Sequence, residues 1–140
     1  MTGTEDKDWQ AALLAAHADW LGPRPPSLAV GDGWRNIVGE LFDGIAAVLR
    51  ASDPPPTFRI EDVKEKYASI RVDWWGALDE NEDRAIEALV ERAEARSERT
   101  CDVCGKPGAV RASRQGGTAW LATRCLDHAD GFPHRVARMG

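Results

Sequence analysis

Residues 99–108 read RTCDVCGKPG and residues 123–129 read TRCLDHA, so all three cysteines of the chain and one of its three histidines fall in a C-x2-C-x20-C-x2-H pattern. A disulfide between two of the thiols would leave the third over. A tetrahedral metal site formed by Cys101, Cys104, Cys125 and His128 leaves none over. Zinc takes four N or S ligands, and Cys3His is a common structural set. A two-residue gap lets both side chains of a knuckle reach one ion, and Gly105 follows Cys104 where the chain must turn sharply. Between the two pairs, GAVRAS and TAWLATR are short strand-like runs around the turn signal RQGG, so a hairpin is expected to return CLDH to CDVC. Four ligands close the coordination sphere, whereas catalytic zinc keeps one position open. The chain lacks the H-x-E triplet of a deaminase, and no histidine lies in 105–124 for a ββα nuclease site. Three thiolates are too few for a standard iron–sulfur cluster. Asp127, between two ligands, is expected to be a surface carboxylate. The expectation is structural Zn2+.

Cysteine pairs hold metal more often than disulfides in a reducing compartment. The N-terminal MTGTEDKDWQ is acidic, with no basic n-region and no long apolar run, so a secretory signal is not expected. No apolar stretch approaches the ~20 residues that cross a bilayer. A cytoplasmic protein without membrane contact is therefore expected. A chain of 140 residues with 43% apolar content is long enough to bury a true core. Its net charge of −5 is unevenly placed: residues 1–100 carry 12 Lys/Arg against 20 Asp/Glu, and residues 101–140 carry 6 against 3. An acidic body disfavours wholesale nucleic-acid binding, while the basic C-terminal segment leaves a local contact open.

Periodicity predicts a helix over 5–21, with Trp9, Leu13, Ala16 and Trp20 in one stripe and Ala12 beside it. Gly22-Pro23 ends it, and PRPP at 23–26 reads as a stiff extended connector. His17 lies beside the stripe and is assigned no role. The strongest helix follows Asp32, a candidate N-cap, with Trp34, Ile37, Val38, Leu41, Phe42, Ile45, Val48 and Leu49 at helical spacing. Gly39 and Gly44 weaken that helix unless another element approaches closely. The period then changes to two. Strands over 57–64 and 69–75 are expected to form an antiparallel hairpin around Lys66–Ser69, and the parity break among Phe58, Ile60 and Val63 marks a bulge near Glu61-Asp62 or the strand's end. A charged helix over 79–99 has Asp79 as candidate N-cap, an apolar stripe of Ile86, Leu89, Val90 and Ala93, and Glu80 placed to pair with Arg84.

No phosphate-cradling glycine motif of either standard kind is present, and GDG at 31–33 reads as a helix start. There is no G-x-S-x-G, and no free thiol would remain for nucleophilic work. Two binding candidates remain. Alternation sends Trp74 to the face of Ile70 and Val72, hence to the core, and Trp75 to the face of Arg71 and Asp73, where either another element covers it or it can anchor a protein partner. The zinc segment offers Lys106, Arg111, Arg114, Arg124, Arg135 and Arg138, with Trp120, of which Lys106, Arg111, Arg114 and Arg124 are the candidate phosphate contacts.

GW opening an apolar helix, VKEKYASIRV, and ARSERTCDVCGKPG with CLDHA resemble a group of small uncharacterised bacterial and prophage-encoded proteins over residues 33–129. In that group the middle motif usually reads K-E-K-F-G-x-L-R; Tyr67, Ala68, Ser69 and Ile70 depart from it, which puts a glycine-dependent turn in question. The resemblance implies the layout and the metal site, and carries no activity.

The expected fold is α+β: helices packed on a small antiparallel sheet, with a C-terminal zinc-ribbon or treble-clef-like unit. Its parts are an N-terminal helix and Pro-rich connector (1–30), an α/β body (31–100), a zinc-binding unit (101–130) and a basic tail (131–140). The expected function is a non-enzymatic protein-binding module, of inhibitor or immunity type, acting through Trp75, Arg71 and Asp73. The alternative is nucleic-acid binding through the basic zinc hairpin, and a third reading is a small hydrolase.

Overall fold

The computed structural model describes residues 2–115 and 118–136, without the side chains of residues 2–8, 114, 115, 118 and 119. The first helical run is broken where one helix is expected. α1 (Thr2–Ala16) and the single turn α2 (Ala18–Leu21) meet at His17. That histidine is only 5% exposed. Its Nδ1 accepts the Trp20 indole N–H at 2.9 Å, which leaves the ring proton on Nε2, 3.1 Å from Asp43 Oδ1. A residue without an assigned role is thus a buried polar bridge, fully partnered as buried polar groups must be. Trp9, Leu13 and Trp20 pack on the core together with Leu14 and Leu21, while Ala12 and Ala16 of the expected stripe face solvent.

After the Pro-rich connector comes β1 (Ser27–Ala29), then a 3-10 turn (Asp32–Trp34) leading into α3 (Arg35–Arg50). Asp32 does not cap α3. Trp34 holds the N-cap position, and the Asp32 carboxylate accepts the Trp9 indole N–H at 2.8 Å instead. The predicted face of α3 is the heart of the core, with Trp34, Ile37, Val38, Leu41, Phe42, Ile45 and Leu49 buried. Close approach explains Gly44, whose Cβ would press on Leu89; nothing approaches Gly39.

β2 (Phe58–Lys66) and β3 (Ser69–Gly76) form the expected antiparallel hairpin, and the register shifts between Ile60 and Asp62 so that Glu61 is the bulged residue. β1 lies parallel to β2, with Leu28 opposite Val63. The sheet, ordered β1-β2-β3, is therefore mixed rather than wholly antiparallel. The helix between β1 and β2 supplies the long crossover that a parallel pair requires. Tyr67 and Ala68 turn the hairpin with φ of 53° and 67°, a left-handed pair built without glycine. α4 (Glu80–Ser97) starts at a capping box in which Asp79 accepts from the Glu82 N–H and Glu82 accepts from the Asp79 N–H. α3 and α4 cover one face of the sheet and bury Ile60, Val63, Ile70 and Ile86 between them. On the other face Arg59, Arg71, Asp73 and Trp75 are exposed.

The C-terminal unit contains β4 (Ala109–Gln115), β5 (Thr118–Arg124), a 3-10 turn (Leu126–His128) and β6 (His134–Arg135), in the antiparallel order β5-β4-β6. Gly116 and Gly117 of the expected turn lie outside the described residues. β6 forms within the segment expected as a tail, pairing Ala112 with His134 and Arg111 with Arg135. The structure is thus α+β with one mixed and one antiparallel sheet.

Candidate metal centre

Local backbone bonds build the first half of the site. The Cys101 N–H donates to Lys106 O at 2.8 Å and the Gly105 N–H to Cys101 O at 3.0 Å, folding CDVCGK into a knuckle with Gly105 at φ 81°. The β4–β5 hairpin returns the chain, and the 3-10 turn after Cys125 brings His128 back to the same point. The ligand atoms of Cys101, Cys104, Cys125 and His128 all lie within 4.8 Å of one another. Cys104 Sγ is 3.6 Å from Cys125 Sγ, and His128 Nδ1 is 3.2 Å from Cys125 Sγ and 3.7 Å from Cys101 Sγ. A tetrahedral ion with bonds of about 2.1–2.3 Å separates its ligands by about 3.4–3.8 Å. The four side chains predicted from spacing are therefore brought to metal-binding geometry, and no disulfide joins the cysteines.

The surroundings favour a thiolate at Cys101. Burial pushes its thiol up, but backbone N–H groups of Cys125, Cys104 and Val103, together with the Cys104 side chain, outweigh burial and bring it down to about 7. The thiolate is the form that binds metal. At Cys104 the Lys106 N–H pulls downward, yet burial and the hydrogen bonds shared with Cys125 and Cys101 give a net upward shift.

Three features of the site were not legible as motifs. Gly31 and Gly33 seat the knuckle: a Cβ on either would overlap a backbone carbonyl, of Asp102 for Gly31 and of Cys101 for Gly33. The Gly33 N–H donates to Asp102 O at 2.9 Å, and the buried Trp34 indole donates to Thr100 O at 2.8 Å. The glycines of GDGW were the available signal, and they serve close backbone approach as well as the helix start. Second, the buried Thr123 hydroxyl donates to Ala68 O at 2.7 Å while Ser97 Oγ accepts the Ile70 N–H at 2.9 Å, so β5 and the end of α4 both clasp the β2–β3 turn. Third, Arg124 Nε lies 2.7 Å from Asp102 Oδ1 beside the ligands. Burial raises the Asp102 carboxyl above its usual range, against the opposing pull of Arg124 and His128.

The basic residues of the segment are not equivalent. Arg111 donates to Phe132 O at 2.7 Å and Pro133 O at 3.1 Å, and Arg124 stands 4.9 Å from the Phe132 ring. Both are engaged in holding 128–133. Lys106 is exposed, the Arg114 side chain and Arg138 lie outside the described residues, and Trp120 is 61% exposed.

On the open sheet face Trp75 is 48% exposed, with the Arg59 guanidinium 5.3 Å from its ring. Trp74 packs on the core, its ring 5.6 Å from Phe58. Asp73 faces Asp62 across the strands, and Lys64 Nζ sits 3.6 Å from the first and 3.8 Å from the second. The hydrogen bond with Asp73, followed by burial, raises the Asp62 carboxyl. The structure thus leaves Arg71, Asp73 and Trp75 together on one uncovered surface.

No helix among the described residues is long and apolar enough to cross a membrane. No protein-family model, curated protein or solved structure matches the chain.

Proposed function

We propose that the chain is a non-enzymatic, zinc-stabilised protein-binding module of inhibitor or immunity type, acting in the cytoplasm. The ion is zinc: three thiolates and one imidazole in a closed tetrad are a structural zinc set, and the order knuckle, hairpin, short 3-10 turn supports a zinc-ribbon or treble-clef-like unit. The observation that carries the binding role is Trp75. A tryptophan nearly half exposed on a sheet, with Arg59 over its ring and Asp73 and Arg71 along the same strand face, has the composition of an interface anchor. The overall charge of the body points to the partner's chemistry. Residues 1–100 carry 20 acidic against 12 basic side chains, so a basic protein surface is the electrostatic complement.

The test is capture from native cells with nuclease present, using the intact chain, Trp75→Ala and Trp120→Ala. A stoichiometric protein retained by the intact chain and by Trp120→Ala, and lost with Trp75→Ala, is the expected result. Co-purifying nucleic acid that disappears on nuclease treatment would move the function to the basic C-terminal unit. Metal analysis of the purified protein should return one zinc per chain, lost in Cys125→Ser.

A further inference from the structure

The register of the C-terminal sheet sets Arg111 on β4 directly opposite Arg135 on β6. Like charges placed directly opposite destabilise a strand pair. Arg124 joins them: the three arginines line a single groove of about 260 Å3 beside the metal knuckle, with Pro107, Ala109 and Leu126 as apolar walls. None of the groove's lining residues is acidic. Two of the guanidiniums are already fixed. Arg111 is held through Nε and Nη2 by the carbonyls of Phe132 and Pro133, and Arg124 through Nη1 by His128 O at 3.4 Å. Arg135 is exposed, with no side-chain partner among the described residues. The anions at hand are Asp102, against Arg124 Nε, and the Cys125 thiolate in the groove lining, one of three thiolates that outweigh a divalent ion. Three guanidiniums against these keep the groove net positive.

We propose that this groove binds a phosphate monoester, a site independent of the Trp75 face. The guanidinium fork matches phosphate oxygens, and two arginines anchored by backbone carbonyls present their remaining N–H groups at little entropic cost. A monoester offers three strong acceptor oxygens and a charge of about −1.5 to −2 at pH 7 to three guanidiniums, where a carboxylate offers two oxygens and a single charge. Pro107, Ala109 and Leu126 take the organic part of the ester. The volume is below the roughly 300–1,000 Å3 of pockets for drug-sized ligands, so the ligand is small or enters by one end. A free phosphorylated metabolite and the terminal phosphate of an oligonucleotide share this chemistry.

The experiment titrates the full-length, metal-loaded protein with phenyl phosphate, phenyl sulfate and benzoate, followed by calorimetry. Phenyl phosphate should saturate one site, at least about tenfold tighter than either monoanion. Arg135→Gln should weaken it by about tenfold or more with thermal stability and metal content unchanged, because Arg135 holds no other side chain. Arg59→Gln, on the sheet face, should leave it unchanged. Equal binding of the three anions, absence of saturation, or an equal loss in Arg59→Gln would overturn the proposal. Short oligonucleotides with a 5′-phosphate or a 5′-hydroxyl separate the sources. Tighter binding of the phosphorylated end than of phenyl phosphate assigns a nucleic-acid terminus, and binding no tighter assigns a metabolite. Equal affinity with and without the terminal phosphate, tighter than phenyl phosphate, would overturn a monoester site in favour of backbone attraction.

Discussion

The mixed sheet of β1–β3 lays one face on α3 and α4 and buries Val63 and Ile70 completely, whereas the sheet of β4–β6 buries only Val110 and Ala122 among the described apolar side chains of its strands. The first sheet has a hydrophobic core of its own. The second places Ser113 and Thr123 inside, with the thiols of Cys101 and Cys125 as its other interior groups. A unit with so little apolar burial needs a staple, and four converging side chains are placed to provide one if they hold a metal ion. The body therefore rests on solvent exclusion, and under the proposed zinc site the C-terminal unit rests on coordination. The two meet through backbone: Gly31 and Gly33 against the knuckle, Thr123 and Ser97 against the hairpin turn.

Removing the metal should split the halves most sharply. Chelation, or Cys125→Ser, is expected to withdraw on the order of 10 kcal/mol from the C-terminal unit. Amide exchange should then accelerate across 100–136 while α3 stays protected; uniform loss of protection would show that the body leans on the metal as well. Phe42→Ala inverts the experiment. A fully buried ring lost from α3 should cost about 3–5 kcal/mol in thermal unfolding, and excess zinc should not restore it.

Gly33→Ala acts at the joint. The added methyl meets the Cys101 carbonyl, so about 1–3 kcal/mol is expected, read as a lower unfolding midpoint with weaker metal retention in competition with a chelator. Smallest is Ala68→Gly. Leaving the left-handed region without a Cβ returns about 1–2 kcal/mol, and losing a buried methyl plus the added freedom of glycine in the unfolded chain takes back a similar amount. The net change in denaturant midpoint should fall within about 1 kcal/mol.

These same elements show what a single sequence can disclose. Periodicity revealed the buried face of α3, the parity break at Glu61 and the cap at Asp79, because each is written within a few residues. Ligand spacing revealed Cys101, Cys104, Cys125 and His128 for the same reason. β1 was illegible: three residues carry no period, and its existence depends on pairing with Asp62–Lys64 across a helix. The break at His17 depends on Asp43, and the roles of Arg111 and Arg124 depend on carbonyls at 128–133. Asp32 has the residue type and position of an N-cap and was drawn instead to Trp9. The hairpin turn inverts the pattern, since Tyr67 and Ala68 adopt a conformation their types disfavour and the clasp of Glu65, Thr123 and Ser97 holds it.

The glycine seat at 31–34 has a consequence for how the chain is made. Translation delivers it, and all of α3 and α4, before the first ligand. The knuckle can settle on Gly33 as soon as it emerges, but with two of its four ligands. Cys125 and His128 follow only after the 20 residues of the hairpin, so roughly 1–5 s of synthesis separate half a site from a whole one at ordinary elongation rates. During that interval the nascent chain holds an open pair of thiols on a finished platform, and under the proposed zinc site ion capture would be the last step of its maturation.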